Sequence, residues 1–224
     1  MKYALLTLLL TLITVLTFAQ FQKGNKVLGF GFGLSTGKGE NQNSPFIQTN
    51  TSNAVNGTVE LGFATKETKL HGFYIGSSYS QNKTETNQPF SANTKIIFQS
   101  YNAGYFTRMY KALGKGFYVF GDIRGGYSYS QNKNSKAIET TQKTHGVNAA
   151  FFPGISYKWN NRFLLEVRTG DFISIGYSNS TSTNNNNNQK FVSNSFSVNS
   201  SLGLGFLQNF GIGARWIIGQ NKKA

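Results

Sequence analysis

From residue 26 onward, apolar residues alternate with small or polar ones at a period of two, in eight segments separated by polar stretches. Residues 26–35 place Leu28, Phe30, Phe32 and Leu34 on one face, with Gly29, Gly31 and Gly33 on the other. Residues 55–65 set Val59, Leu61 and Phe63 against Glu60 and Gly62, and residues 70–80 set Phe73, Ile75 and Tyr79 against Tyr74, Gly76 and Ser78. In residues 97–110 the faces are Tyr101, Ala103 and Tyr105 against Asn102, Gly104 and Arg108. In residues 117–130 they are Val119, Ile123, Tyr127 and Tyr129 against Asp122, Arg124 and Gly126. Residues 146–159 repeat the pattern with Val147, Ile155, Tyr157 and Trp159 opposite Asn148 and Gly154. A seventh segment opens at Phe163, with Leu165 and Val167 against Glu166 and Arg168. The last keeps Phe196, Leu202, Phe210, Ile212 and Trp216 opposite Gly211, Gly213 and Arg215. Alternation this strict specifies strands, not helices.

The spacers alternate as well. Short turns fall at 66–69, 111–116 and 160–161, and longer polar loops at 36–54, 81–95, 131–145 and 178–190, the last with five consecutive asparagines. Short turns on one side and long loops on the other describe an up-and-down barrel. The face opposite the apolar one carries Gly, Ser, Asn and a few ions, which is not a normal wet surface. It therefore points into a lumen, and the apolar face points at lipid. Tyr79, Tyr105, Tyr129, Tyr157, Trp159 and Trp216 lie near segment ends, where an interfacial aromatic girdle is expected. A closed ring also satisfies every backbone polar group inside a bilayer. The expected fold is all-β: a transmembrane antiparallel barrel of about eight strands, with short periplasmic turns and four longer extracellular loops.

Residues 1–20 read as an address. Lys2 gives a positive start, residues 4–18 an apolar run, and Thr17 and Ala19 the small residues before a cut at Gln20. The run is shorter than the roughly 20 residues of a spanning helix. Residues 1–19 are thus expected to be a cleaved signal and 20–224 a single barrel domain, exported to the outer membrane.

The signal ending in Ala19 and Gln20, the glycine-alternating first strand, the unequal loops and the apolar last strand resemble the small outer-membrane β-barrels related to the OmpA transmembrane domain and OmpX. The resemblance spans the whole chain after the signal and implies export and barrel-assembly machinery as partners. Chains of that family end on an aromatic residue, whereas this one continues past Trp216 to Ala224.

Charged residues are 13% of the chain, aromatics 15%, and the net charge is +14. The aromatics exclude disorder, and the absence of cysteine excludes disulfides and thiolate metal sites. Most of the excess charge falls at the turn end, in Lys23, Lys26, Lys66, Lys69, Arg108, Lys111, Lys115, Lys158, Arg162, Lys222 and Lys223 against Glu67. Anionic lipid headgroups, and not nucleic acid, are the expected partners of such a rim. The lumen parity holds Glu60, Asp122 and Glu166 with Arg124, Arg168 and Arg215, which are expected to pair, including Glu166 with Arg168 along one strand. Their glycine neighbours Gly29, Gly31 and Gly33 are expected to make room for Tyr74, Tyr118 and Phe120.

His71 and His145 lie near opposite rims, share the apolar parity and cannot meet. His145 has no serine within two residues, so no catalytic site is assigned, and neither a cofactor nor a metal site. Asp171 breaks the apolar parity, and Gly170 before it signals a bulge. The expected role is structural or adhesive, through the loops of a monomeric barrel with a side-chain-filled lumen. A narrow porin-like channel for small polar solutes is the alternative.

Overall fold

In the computed structural model the alternation becomes strand along nearly all of the described residues, which are 21–43, 46–86, 94–135, 140–200 and 210–219. The expected signal and residues 220–224 lie outside them. Ten segments form: β1 (Lys26–Asn43), β2 (Phe46–Lys66), β3 (Lys69–Thr86), β4 (Thr94–Gly114), β5 (Phe117–Ser135), β6 (Thr140–Lys158), β7 (Phe163–Thr169), β8 (Ile173–Asn184), β9 (Lys190–Ser200) and β10 (Phe210–Ile218). All pairings are antiparallel. β1 to β6 pair in sequence; β6 then meets β7 with its lower residues and β8 with its upper ones. β9 pairs with β8, and β10 pairs with β7 and closes the ring on β1. β7 and β8 both lie against β6 and make one stave. The described strands thus form an up-and-down antiparallel ring of about eight to ten, in keeping with the barrel expected from the sequence.

The seventh stave is broken by a bulge. Gly154 faces Arg168, yet Phe151 faces Ile173, so the stave carries two residues more than β6 beside it. Pro153 has no N–H to offer there, and its carbonyl instead accepts the Thr169 hydroxyl at 3.2 Å. An even insertion restores parity, so Ile173 and Ile175 face outward like Leu165 and Val167. Asp171 is carried to the exposed side of the bulge, which accounts for its anomalous parity.

The four long loops of the sequence reading are largely strand. β1 and β2 stay in register up to Asn43 opposite Phe46, and β5 and β6 up to Asn134 opposite Thr140. At about 3.4 Å per residue and a tilt of about 40°, staves of this length rise roughly 45–55 Å, well beyond an apolar band of about 25 Å. Above that band both faces of a hairpin meet water. Hydrophobic alternation then ends while the ladder continues, and the sequence gives no signal of it.

Burial follows parity and inverts the usual order. Ile75 and Ile212 are 64% and 68% exposed on the outer wall, while Asp122 and Arg108 inside are 0% and 1% exposed. A barrel in water would hide the former. The lower lumen is filled by Phe21, Val27, Leu70, Tyr110, Tyr118, Leu164 and Ile217. Phe21 enters from before β1, donates its N–H to the Glu67 carbonyl at 3.2 Å, and sets its ring edge-on to Tyr110 at 5.2 Å.

Candidate functional site

Directly above this apolar floor lie six charged side chains, each at most 6% exposed: Glu60 on β2, Arg108 on β4, Asp122 and Arg124 on β5, Glu166 on β7 and Arg215 on β10. They form a closed circuit. Arg108 donates to Asp122 Oδ2 at 2.5 Å and to Glu166. Arg215 donates through Nε to the same Glu166 oxygen at 2.8 Å, and through Nη2 to Glu60. Arg124 binds Glu60 with Nη2 and returns to Asp122 with Nε at 2.8 Å. Three acids and three arginines alternate around the ring, so its charge cancels. Buried ions are tolerated only when paired and hydrogen-bonded in this way.

Aromatic faces complete the layer. The Arg108 guanidinium lies 4.3 Å from the Phe120 ring centre, Arg124 lies 5.2 Å from Tyr74, and Arg215 lies 5.6 Å from Phe106. The Tyr110 hydroxyl donates to the free oxygen of Glu166 at 2.9 Å. With the floor beneath, the ring seals this cross-section. Among the described residues, a cavity of about 30 Å³ lies between Asn56, Arg168, Gly211 and the ring. That is room for a water or two and no more.

Of the six residues expected from the sequence, five join the ring and one does not. Arg168 reaches no closer than 4.0 Å to Glu60, and its side chain is 26% exposed. It does not pair with Glu166. Spacing along the strand does not forbid it, since Asp122 and Arg124 pair at the same spacing on β5; Glu166 is instead taken by Arg215 from the adjacent stave and by Arg108 from across the lumen. Arg108 is the other correction: instead of standing at the rim, it is the hub of the circuit. Its even parity, shared with Gly104 and Asn102, was the available signal. Its nearness to Lys111 in sequence was misleading, because β4 runs past the floor before it turns.

The glycine expectation also changes. A Cβ on Gly29 would press on Arg215 Nη1 and the Glu60 carboxylate, at 3.1 and 3.3 Å, so this glycine makes room for the ring. Tyr74 is instead accommodated by Gly104 and Gly126, and Phe120 by Gly154. A glycine's neighbours come from the strands that flank it, which parity alone does not identify.

The aromatic residues lie on the outer wall. Tyr157 packs on Phe117 at 4.8 Å, and Trp216 stacks on Phe163 at 6.1 Å, both beside the lower turns, as is Trp159. Tyr79 and Tyr129 lie toward the hairpin end, Tyr129 with its ring 5.0 Å from His145. The Tyr105 hydroxyl reaches down to His71 Nδ1 at 2.8 Å. His145 is bonded to the Tyr127 hydroxyl at 2.5 Å. Among the described residues, no group of three His, Asp or Glu is placed to hold a metal ion.

No family model matches this chain, and no curated protein matches it. Solved structures do. The outer membrane protein OprG from Pseudomonas aeruginosa is similar at 9% identity, over 91% of this chain and 100% of that one, with a TM-score of 0.48. Ail, the attachment invasion locus protein of Yersinia pestis, is similar at 11% identity, over 88% and 100%, with a TM-score of 0.38. The outer membrane protease OmpT from Escherichia coli is similar at 9% identity, over 92% and 97%, also at 0.38. These likenesses concern the fold alone. The antiparallel ring of about eight to ten strands, its apolar outer wall and its polar lumen together are the architecture of a small outer-membrane β-barrel.

Proposed function

We propose that this chain is a non-enzymatic, integral outer-membrane barrel that works at the cell surface through its projecting hairpins, its lumen being closed. The observation that carries this reading is the neutral ring of Glu60, Arg108, Asp122, Arg124, Glu166 and Arg215 above the apolar floor. A lumen filled this way conducts nothing, which leaves the hairpins as the working part. In planar bilayers the purified barrel is expected to give no conductance steps. Regular steps would favour the narrow channel, for which the small cavity beside Arg168 is the only supporting observation among the described residues.

Orientation has its own test. A membrane-impermeant amine reagent added to intact cells is expected to label Lys83, Lys95, Lys133 and Lys143 on the hairpins, and to spare Lys66, Lys69 and Lys111 at the turns. The reverse pattern would turn the barrel over and remove the surface role.

A further inference from the structure

The outer wall of β1 to β4 carries a notch. Phe32, Gly57, Ser77 and Tyr101 lie opposite one another across the four strands, so two small residues stand between two aromatic posts. Val55 and Tyr79 bound it on the hairpin side. The depression has a volume of about 320 Å³, within the range of ligand sites. Phe32 and Tyr101 are more than half exposed, so the notch opens outward, toward lipid in the membrane reading on which this inference rests.

On the same strands, four residues beyond Tyr79, Lys83 stands directly opposite Lys95. Thr51 lies opposite both Lys83 and Lys38, so the three lysines occupy one cross-strand row. Lys133 and Lys143 on β5 and β6 also have the outward parity and are exposed, but they stand two and four residues nearer the level of the notch than this row, Lys133 opposite Ile97 and Lys143 opposite Gln131. The acids on these faces, among the described residues, are Glu40, which pairs with Lys38 at 3.1 Å, and Glu85. Like charges directly opposite in a sheet destabilise it, and an anion between them removes the penalty. The row stands about 13 Å along the strand from the tyrosine that bounds the notch.

We propose that this face binds one outer-leaflet glycolipid that carries both acyl chains and phosphate. An acyl chain lies in the notch over Gly57 and Ser77, and a phosphate sits between Lys83 and Lys95. The two halves fit one molecule, because an apolar slot and a cationic row lie on the same four strands at a headgroup's distance. Neither a free phosphate nor a neutral lipid uses both.

The test is titration of the full chain in detergent with diphosphorylated lipid A, followed by native mass spectrometry. Binding is expected to weaken at least tenfold in K83A/K95A. It is also expected to weaken in G57L, which fills the notch. The Gly57 side is open, with no atom within 4 Å of a Cβ placed there, so this variant is expected to fold, which its heat-modifiable gel migration checks. Dephosphorylated lipid A is expected to bind no better to the wild type than to K83A/K95A. Unchanged affinity in K83A/K95A, or equal binding of phosphatidylglycerol, overturns the site while leaving the membrane reading intact. A chain that stays in buffer without detergent overturns the membrane reading, and the site with it.

Discussion

Arg108→Ala is expected to lower the unfolding free energy of the barrel in detergent by about 3–5 kcal/mol, the largest effect of any single change in the lumen. Arg108 is 1% exposed and holds two of the three acids, Asp122 and Glu166. Its loss leaves both carboxylates facing one arginine each, in a layer closed to water by Phe120 below and Tyr74 above. Arg168→Ala is the control. Its guanidinium is partly exposed and only 4.0 Å from Glu60, so its removal is expected to cost about 1 kcal/mol or less. Combining Arg108→Met with Asp122→Asn is expected to cost far less than the two changes summed, because the four charges left, Glu60, Glu166, Arg124 and Arg215, still pair and cancel. Urea unfolding followed by heat-modifiable gel migration reads all of these. Equal effects for Arg108 and Arg168 would mean that the ring is hydrated and contributes nothing to closure.

The contrast between Arg108 and Arg168 also marks how far the sequence can be read. Parity placed Glu60, Asp122, Arg124, Glu166 and Arg215 inside, because a period of two assigns every residue of a strand to a face once one face is known. Parity carries no information about depth. The depth of Arg108 depends on how far each strand is staggered against the next, which is a property of the closed ring. Nor does parity identify partners. Arg215 meets Glu60 because β10 and β2 flank β1, whose Gly29 has no side chain to stand between them. The hairpins were illegible for a different reason. Once both faces are wet, Thr, Ser, Asn and Lys serve either face, and only backbone pairing separates strand from loop. The bulge was legible in part: Gly170 and the odd position of Asp171 announced it, whereas Pro153, on the neighbouring strand, becomes meaningful only with the register.

Gly104→Ala is expected to destabilise the barrel at or above the upper end of the 1–3 kcal/mol typical of overpacking, and to reduce the folded fraction recovered from urea. Gly104 and Gly126 lie directly opposite each other on β4 and β5, both toward the lumen. A Cβ on Gly104 would run into the Gly125 carbonyl oxygen, come within 2.7 Å of Gly126 Cα, and meet the Tyr74 hydroxyl at 2.8 Å. Two of these three obstacles are backbone, which no rotamer change removes. The third is the ring that covers Arg124, so relief by swinging Tyr74 away would expose the ion circuit from above. Gly126→Ala meets the Ala103 carbonyl oxygen, Gly104 Cα and the same Tyr74 hydroxyl from the other strand, and is expected to behave alike. Replacing Tyr74 by Leu in the Gly104→Ala background separates the two causes. Recovery would show that the phenol was the obstacle. Persistence of the defect is the expected result, because β4 and β5 approach too closely for any side chain between them.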